Sequence, residues 1–366
     1  MELHLVGGFL GSGKTTAILE AAHLLVENDQ RVGIITNEQG KHLVDTAFLQ
    51  ASGMPALEVA GGCICCHLDD FEERIAEITA KFNPQVLFAE SVGSCADLVA
   101  TVIKPLSDYR KTSALPASLS VFTDCRLLLR YLRGLELPFS EGIIYIFEKQ
   151  IEESSLLIAN KIDLLTAEDT REVIRLAEQR YPNKLIRLQN SLDASQVAEW
   201  LALIQTQTGL IPNRSLNINY DAYAEGEGRF AWLDRELNLT FSTPNPGDLV
   251  GQLILFFVKM ISAKGLHIAH LKFLARDGSQ AIKINLTSED GIDEKINEEV
   301  RKLDLLTGPQ IKLLINTMVE GRAALLEESI DTVIKQFCNT NQIISLETAR
   351  FSRVPDYPKP TLRIGF

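Results

Sequence analysis

Positive charge is in short supply in this chain. Against 48 aspartates and glutamates it carries 36 lysines and arginines, a net charge of −12, and no basic stripe suits it to a nucleic-acid backbone or an anionic membrane. Cysteine is scarce, six in 366 residues, and so are histidine, with six, and tryptophan, with two. No run reaches the ~20 apolar residues that span a bilayer. The most apolar stretch, LVGQLILFFVKMI (249–261), is interrupted by Gln252 and Lys259. No basic leader precedes the apolar opening MELHLVGGF, so a cytoplasmic protein is expected. In that reducing compartment a cysteine cluster points to metal or redox chemistry rather than to a disulfide framework. Low-complexity tracts and internal repeats are absent. What remains, 46% hydrophobic and 23% charged, is ordinary globular composition, and the length suits two domains at ~100–200 residues each.

Short apolar runs alternate with helical stretches over the first two-thirds. LHLVG (3–7), VGIIT (32–36), QVLFAE (85–90), SLSVFTD (118–124), LLIAN (156–160) and KLIRL (184–188) read as buried strands, with helices over about 14–27 and 69–82. This is the pattern of an α/β domain over 1–206, a mainly parallel sheet covered on both faces. Residues 207–228, mixing Gly, Pro, Asn and acids, are expected to be a linker. A smaller α+β domain over 229–366 follows, with strands at 232–241, 267–275, 280–287 and 310–319 and helices at 246–260 and 324–337.

Residues 8–15 read GFLGSGKT, the G-x-x-x-x-G-K-T of a P-loop, after an expected strand and before an expected helix. The glycines Gly8, Gly11 and Gly13, with Ser12, let backbone N–H groups turn toward phosphates. Lys14 is expected to reach the β- and γ-phosphates, Thr15 to hold Mg²⁺, and Thr16 to lie alongside. Asn160-Lys161-Ile162-Asp163 follows an apolar strand. Asp163 is suited to accept from guanine N1–H and its 2-amino group, a pairing that adenine cannot make, while Lys161 packs along the base. Glu90 ends a strand three residues before Gly93. There a carboxylate positions Mg²⁺ or the attacking water, and a glycine lets the backbone approach the γ-phosphate. TNEQGKHLVD (36–45) offers Asn37, Glu38 and Asp45 as a first switch, with Asp45 near Mg²⁺.

Half of the cysteines lie in GGCICC (61–66), as Cys63, Cys65 and Cys66. Thiolates favour soft ions such as Zn²⁺ over Mg²⁺ or Ca²⁺. Closed structural zinc sites take four protein ligands, and this motif supplies three. The fourth position is open to Glu38, His67 or water. His267 and His270, three apart on one strand, point to opposite faces and share no metal.

Taken in order, GGFLGSGKTT, NE-x-G with a later Asp, GGCICC, E-x-x-G and NK-x-D resemble the CobW-type GTPase metallochaperones, relatives of the nickel-insertion GTPases of urease and hydrogenase maturation. The resemblance covers about the first 210 residues and continues more weakly through MISAKG (260–265), 313–337 and PKPTLR (358–363). It implies GTP hydrolysis with Mg²⁺ on Thr15 and Glu90, Lys14, Glu90 and Asp45 as the catalytic set, and Zn²⁺ or Co²⁺ on Cys63, Cys65 and Cys66 for transfer to a client metalloprotein. It also implies a homodimer. Two departures stand out: the linker carries no His-rich loop, and the segment after Glu90 reads ESVGSCADL, with an extra Cys95, where E-x-x-G-L-A-D-P is the commoner pattern. Two other functions fit the same motifs: a metal-sensing module for which GTP is a conformational ligand, and a maturation GTPase for an enzyme or corrinoid protein without metal cargo.

Overall fold

The computed structural model of the chain describes all residues except 39–43, 109–114, 208–209, 288–293 and 366. It divides into two compact units: Met1–Gln39 with Ser52–Gly226 and Tyr357–Phe366, and Gly40–Ala51 with Glu227–Asp356.

The first unit is built on seven strands: β1 (Glu2–Gly8), β2 (Val32–Glu38), β3 (Ala56–Ala60), β4 (Val86–Glu90), β5 (Leu115–Asp124), β6 (Leu156–Asn160) and β7 (Leu185–Gln189). Their order is β3-β2-β4-β1-β5-β6-β7, and every pairing is parallel. Helices such as Lys14–Glu27 and Leu68–Phe82 cross between strands, so β1, β4 and β6 are buried almost end to end. That double covering is why these strands read as continuous apolar runs. Parallel pairing also brings every strand's carboxyl end to one edge of the sheet, where ligands of open α/β sheets bind. Val6 stands beside Glu90, Gly8 beside Phe122, and Asn160 beside both Asp124 and Gln189.

The second unit has five antiparallel strands, β8 (Phe230–Thr240), β9 (His267–Arg276), β10 (Ala281–Leu286), β11 (Gln310–Glu320) and β12 (Ile344–Arg353), in the order β10-β9-β11-β8-β12. One face is packed by the helices Pro246–Ala263 and Ala323–Thr340, whose Val250, Ile254, Phe257, Ile330 and Val333 meet Leu271, Phe273, Leu313 and Ile315. The helix Pro246–Ala263, 18 residues with mean hydropathy 1.3, is long and apolar enough to cross a membrane, and half of it is buried within this unit. The fold class is the expected one: a P-loop-type α/β unit and a smaller α+β unit.

The division along the chain differs from the expected one in three places. The stretch 207–228 is not a plain linker, because Leu210, Leu216 and Tyr223 are buried and Tyr220–Gly228 forms a helix. The closing residues 357–366 belong to the first unit, not the second. Conversely, the helix Val44–Ala51 belongs to the second unit, where Val44 packs with Leu274 and Leu314. Alternation in β9 and β11 accounts for this, because Leu274 and Leu314 face away from Phe273 and Leu313.

That placement corrects the reading of Asp45. Its carboxylate is buried and held by Lys272 Nζ and Lys283 Nζ, each at 2.5 Å. A carboxylate already neutralised by two ammonium groups is a structural anchor, and the catalytic role expected of it is withdrawn. Asp45→Asn strands two mostly buried cations. It is expected to destabilise the chain by about 3 kcal/mol, measured by denaturant unfolding of the full chain at neutral pH; a change within ±0.5 kcal/mol would show that the lysines rearrange freely.

Candidate functional site

Gly8, Gly11 and Gly13 adopt φ of 122°, 67° and 91°. At Gly13 the requirement is steric as well, since a Cβ there would lie 2.3 Å from Asn160 Nδ2. The helix Lys14–Glu27 starts with no side-chain cap and no acidic residue in its first turn. Its leading N–H groups and dipole are therefore left for an anion. Lys14 Nζ donates to the Gly8 and Phe9 carbonyls at 2.9 and 3.1 Å, across the same loop. The buried Ser12 Oγ meets no hydrogen-bond partner among the described residues, and Thr16 is half-buried on the helix.

Thr15 Oγ1 donates to the Glu90 carboxylate at 2.9 and 3.1 Å, and both residues are buried. A hydroxyl and a carboxylate in contact beside a phosphate cradle are hard oxygen donors that fit Mg²⁺. Thr15 and Glu90 would hold the ion, which when bound offsets phosphate charge. Gly93, three residues on, abuts the cradle: a Cβ there would come within 2.7 Å of Leu10 Cδ2 and 3.0 Å of Leu10 Cα.

At the end of β6, buried Asn160 bridges two loops. Its Nδ2 donates to Ser12 O at 2.8 Å, and its Oδ1 accepts from Ser191 N at 3.1 Å and Ser191 Oγ at 2.8 Å. Lys161 takes a left-handed conformation, φ 66°, and its Nζ pairs with Asp124 Oδ2 at 3.1 Å. Burial raises the Asp124 carboxyl, but Lys161 and Arg126 outweigh it and hold the group below the usual carboxylate range. Asp163 sits exposed in the short turn Ile162–Leu164, accessible to a base.

The thiol loop leaves the end of β3. Asn37, on the neighbouring β2, pins it: Nδ2 donates to Val59 O (3.0 Å) and Gly62 O (2.6 Å), and Oδ1 accepts from Ile64 N (2.9 Å). Cys63, Cys65 and Cys66 then bring their sulfurs within 4.8 Å of one another, the described residues' one such group of three or more His, Cys, Asp or Glu. The Cys66 thiol is pushed up to about 12, first by its hydrogen bonding with Cys63 and then by burial. A cation binding here displaces protons. Glu38 ends β2, but its side chain lies outside what is described. His67 Nδ1 faces Asp70 Oδ2 at 3.2 Å, and its ring covers Gly62.

Several residues that hold this site went unread in the sequence. The tail straps the thiol loop. Thr361 N donates to Cys65 O (3.2 Å) and Thr361 Oγ1 to Cys66 O (2.9 Å), while Arg363 Nε pairs with buried Asp97 at 2.6 Å. The sequence marks PKPTLR (358–363) only as a stretch resembling the family, and its contacts with the thiol loop come from tertiary structure alone. Gln150 Nε2 donates to the Gly93 and Cys95 carbonyls at 3.0 and 2.9 Å.

Below this loop Glu153 is wholly buried. Its carboxyl is raised to about 8, first by burial, while Val99 N donates to it at 2.7 Å. The folded chain keeps this proton to higher pH than the unfolded chain does. The stability it contributes is complete below the unfolded value of about 4.5 and is lost as pH rises through about 8. Unfolding free energy is expected to fall by up to about 5 kcal/mol across that window. Glu153→Gln is expected to flatten that slope in urea titrations at several pH values; an unchanged slope would place the proton elsewhere.

Residues 2–186 match the family model described as "CobW/HypB/UreG, nucleotide-binding domain". Among curated proteins the chain is similar to the zinc chaperone YeiR of Escherichia coli strain K12, 31% identical over 185 residues, which are 48% of this chain and 51% of that protein. It is similar to the zinc chaperone CobW of Sinorhizobium sp, 30% identical over 192 residues, 46% of this chain and 53% of that protein. It is also similar to the urease accessory protein UreG of Aliarcobacter butzleri, 26% identical over 212 residues, 54% of this chain and 95% of that protein. The chain thus spans about half the length of the two zinc chaperones.

Proposed function

Given that this chain belongs to the CobW/HypB/UreG family, we propose that it binds and hydrolyses GTP and uses the nucleotide's state to hold and release a transition-metal ion, Zn²⁺ or Co²⁺, for a client metalloprotein in the cytoplasm. The ion is cargo, gripped by Cys63, Cys65 and Cys66. Lys14 and the cradle N–H groups bind the phosphates. Thr15 and Glu90 hold Mg²⁺, and Asn160, Lys161 and Asp163 form the guanine site. A homodimer with nucleotide near its interface belongs to the same proposal.

One observation carries the coupling. Glu90 touches Thr15 in the cradle, and five residues along the same loop Cys95 Sγ lies 3.4 Å from Cys65 Sγ. A carboxylate that shifts when the γ-phosphate leaves therefore moves a loop that touches the thiols. Switch segments ordered by γ-phosphate and Mg²⁺ work in this way. Asn37 gives a second tie, from the end of β2 to the thiol loop.

The test is steady-state phosphate release from GTP and ATP, with Mg²⁺, at increasing free Zn²⁺. Slow GTP turnover, faster with Zn²⁺ and selective against ATP, supports the proposal. Tight GTP binding without turnover under any metal condition would favour a sensing module, and equal use of ATP would overturn the guanine site.

A further inference from the structure

We propose that Cys95 is a fourth sulfur ligand, so that Cys63, Cys65, Cys66 and Cys95 together hold one Zn²⁺ in an all-thiolate site. The inference rests on the metal-binding reading of the C-I-C-C motif and adds to it the ligand that closes the site.

The geometry centres on Cys65. Its sulfur lies 2.7 Å from that of Cys63, 3.8 Å from that of Cys66 and 3.4 Å from that of Cys95. A tetrahedron with Zn–S bonds of ~2.3 Å has sulfur–sulfur edges of ~3.8 Å. The Cys65–Cys66 spacing already matches, Cys65–Cys95 is short by about 0.4 Å, and Cys63–Cys65 must open by about 1 Å. Cys95 stands outside the group of three whose sulfurs all lie within 4.8 Å of one another, so closing the site also draws its sulfur toward Cys63 or Cys66. Cys63 and Cys66 flank Cys65 on one turn, so side-chain rotation alone accomplishes much of this. Each sulfur that binds gives its proton to solvent.

The loop that carries Cys95 is positioned by a set of specific hydrogen bonds. Gln150 grips the Gly93 and Cys95 carbonyls. The Tyr223 hydroxyl bridges Ser94 O and Ala96 N, each at 3.2 Å. Asp97, wholly buried, takes a left-handed φ of 68° and is fixed by Arg363 and Tyr220. A non-glycine residue in that conformation is costly and persists where its surroundings over-determine it, commonly at functional sites. A thiol used merely as a small apolar filler has no need of such support.

The consequence bears on release. Four sulfurs make a closed site, whereas three leave a position for an acceptor. Cys95 is the sulfur on the Glu90 loop, so a nucleotide-driven shift withdraws this ligand first and turns a closed site into an open one.

The test uses the full, reduced chain loaded with Zn²⁺ alone. X-ray absorption at the zinc edge is expected to show four sulfurs and no nitrogen or oxygen ligand. Cys95→Ala and Cys95→Ser are each expected to weaken Zn²⁺ by at least about ten-fold in chelator competition. In the Co²⁺-loaded forms the sulfur-to-metal charge-transfer intensity should fall by about a quarter, one ligand in four. Thermal melting of the metal-free variants checks folding; should both variants fail to fold, the wild-type absorption spectrum decides alone. Three sulfurs with a lighter ligand, and an affinity unchanged by Cys95→Ala, would overturn the fourth ligand while leaving the three-cysteine site intact. A Cys65–Cys95 disulfide in place of zinc would also overturn it. If the wild type binds Zn²⁺ no better than Cys63→Ser/Cys65→Ser/Cys66→Ser, the metal-binding reading itself fails.

Discussion

Asp163→Asn is expected to exchange one base for another. On the proposed reading, the exposed Asp163 carboxylate of the wild type accepts from both N1–H and the 2-amino group of guanine. An asparagine keeps one acceptor and presents an N–H₂ where the second acceptor stood, which opposes a guanine amino group and suits a 2-oxo group. GTP affinity should fall by roughly 10²–10⁴-fold and xanthosine triphosphate affinity should rise, because unpaired polar groups are what such sites discriminate against. The framework survives the change: Asn160 still staples the cradle to Ser191, and Lys161 remains paired with Asp124. Calorimetric titration with the two nucleotides measures it. A GTP affinity within about three-fold of the wild type would mean that the base is read elsewhere.

The second large effect is expected at Glu90. Glu90→Gln keeps the side chain's size and an oxygen for the Thr15 hydroxyl, which donates to it at 2.9 Å in the wild type, but removes the negative charge. GTP hydrolysis should fall by about 10²–10³-fold, as when one charge-positioning group is lost from a site that works by electrostatics. GTP binding should change far less, since the cradle N–H groups and Lys14 are untouched. Zn²⁺ affinity without nucleotide should change far less than hydrolysis, because the charge removed is not on one of the sulfur ligands. Single-turnover hydrolysis alongside equilibrium nucleotide binding separates these effects. Unimpaired hydrolysis would assign the metal and water to another carboxylate.

The parts of this site that could be read from sequence are those in which chemistry is written in contiguous residues. GFLGSGKT between a strand and a helix specifies positive φ, a capless helix start and a lysine in eight positions, and Gly13, Lys14 and Thr15 lie where that context requires. Glu90 and Asn160 were legible because each ends a buried parallel strand, and parallel pairing sends all such ends to one edge. Asp45 misled because a carboxylate at switch-like spacing looks the same whether it faces a metal or a lysine. Its partners Lys272 and Lys283 lie more than 220 residues away. Strand β12 was missed as an edge strand with a largely exposed, polar sequence, and β3 as five residues interrupted by Glu58. Thr361 and Arg363 lie in PKPTLR, which the sequence marks only by its resemblance; their contacts with Cys65, Cys66 and Asp97 exist only in the folded chain. Cys95 was visible only as a departure from a pattern. The fold supplies its meaning by bringing it beside Cys65.

The central claim is that the nucleotide's state sets how tightly the sulfurs hold a soft ion. Chelator competition for Zn²⁺ tests it most directly, on the wild type and on Cys63→Ser/Cys65→Ser/Cys66→Ser, each without nucleotide, with GTP–Mg²⁺ held by a non-hydrolysable analogue, and with GDP–Mg²⁺. A wild-type affinity that differs between the triphosphate and diphosphate states by ~5-fold or more, a coupling of ~1 kcal/mol, is expected, together with its disappearance in the triple variant. Equal Zn²⁺ affinity in the two nucleotide states would contradict the claim.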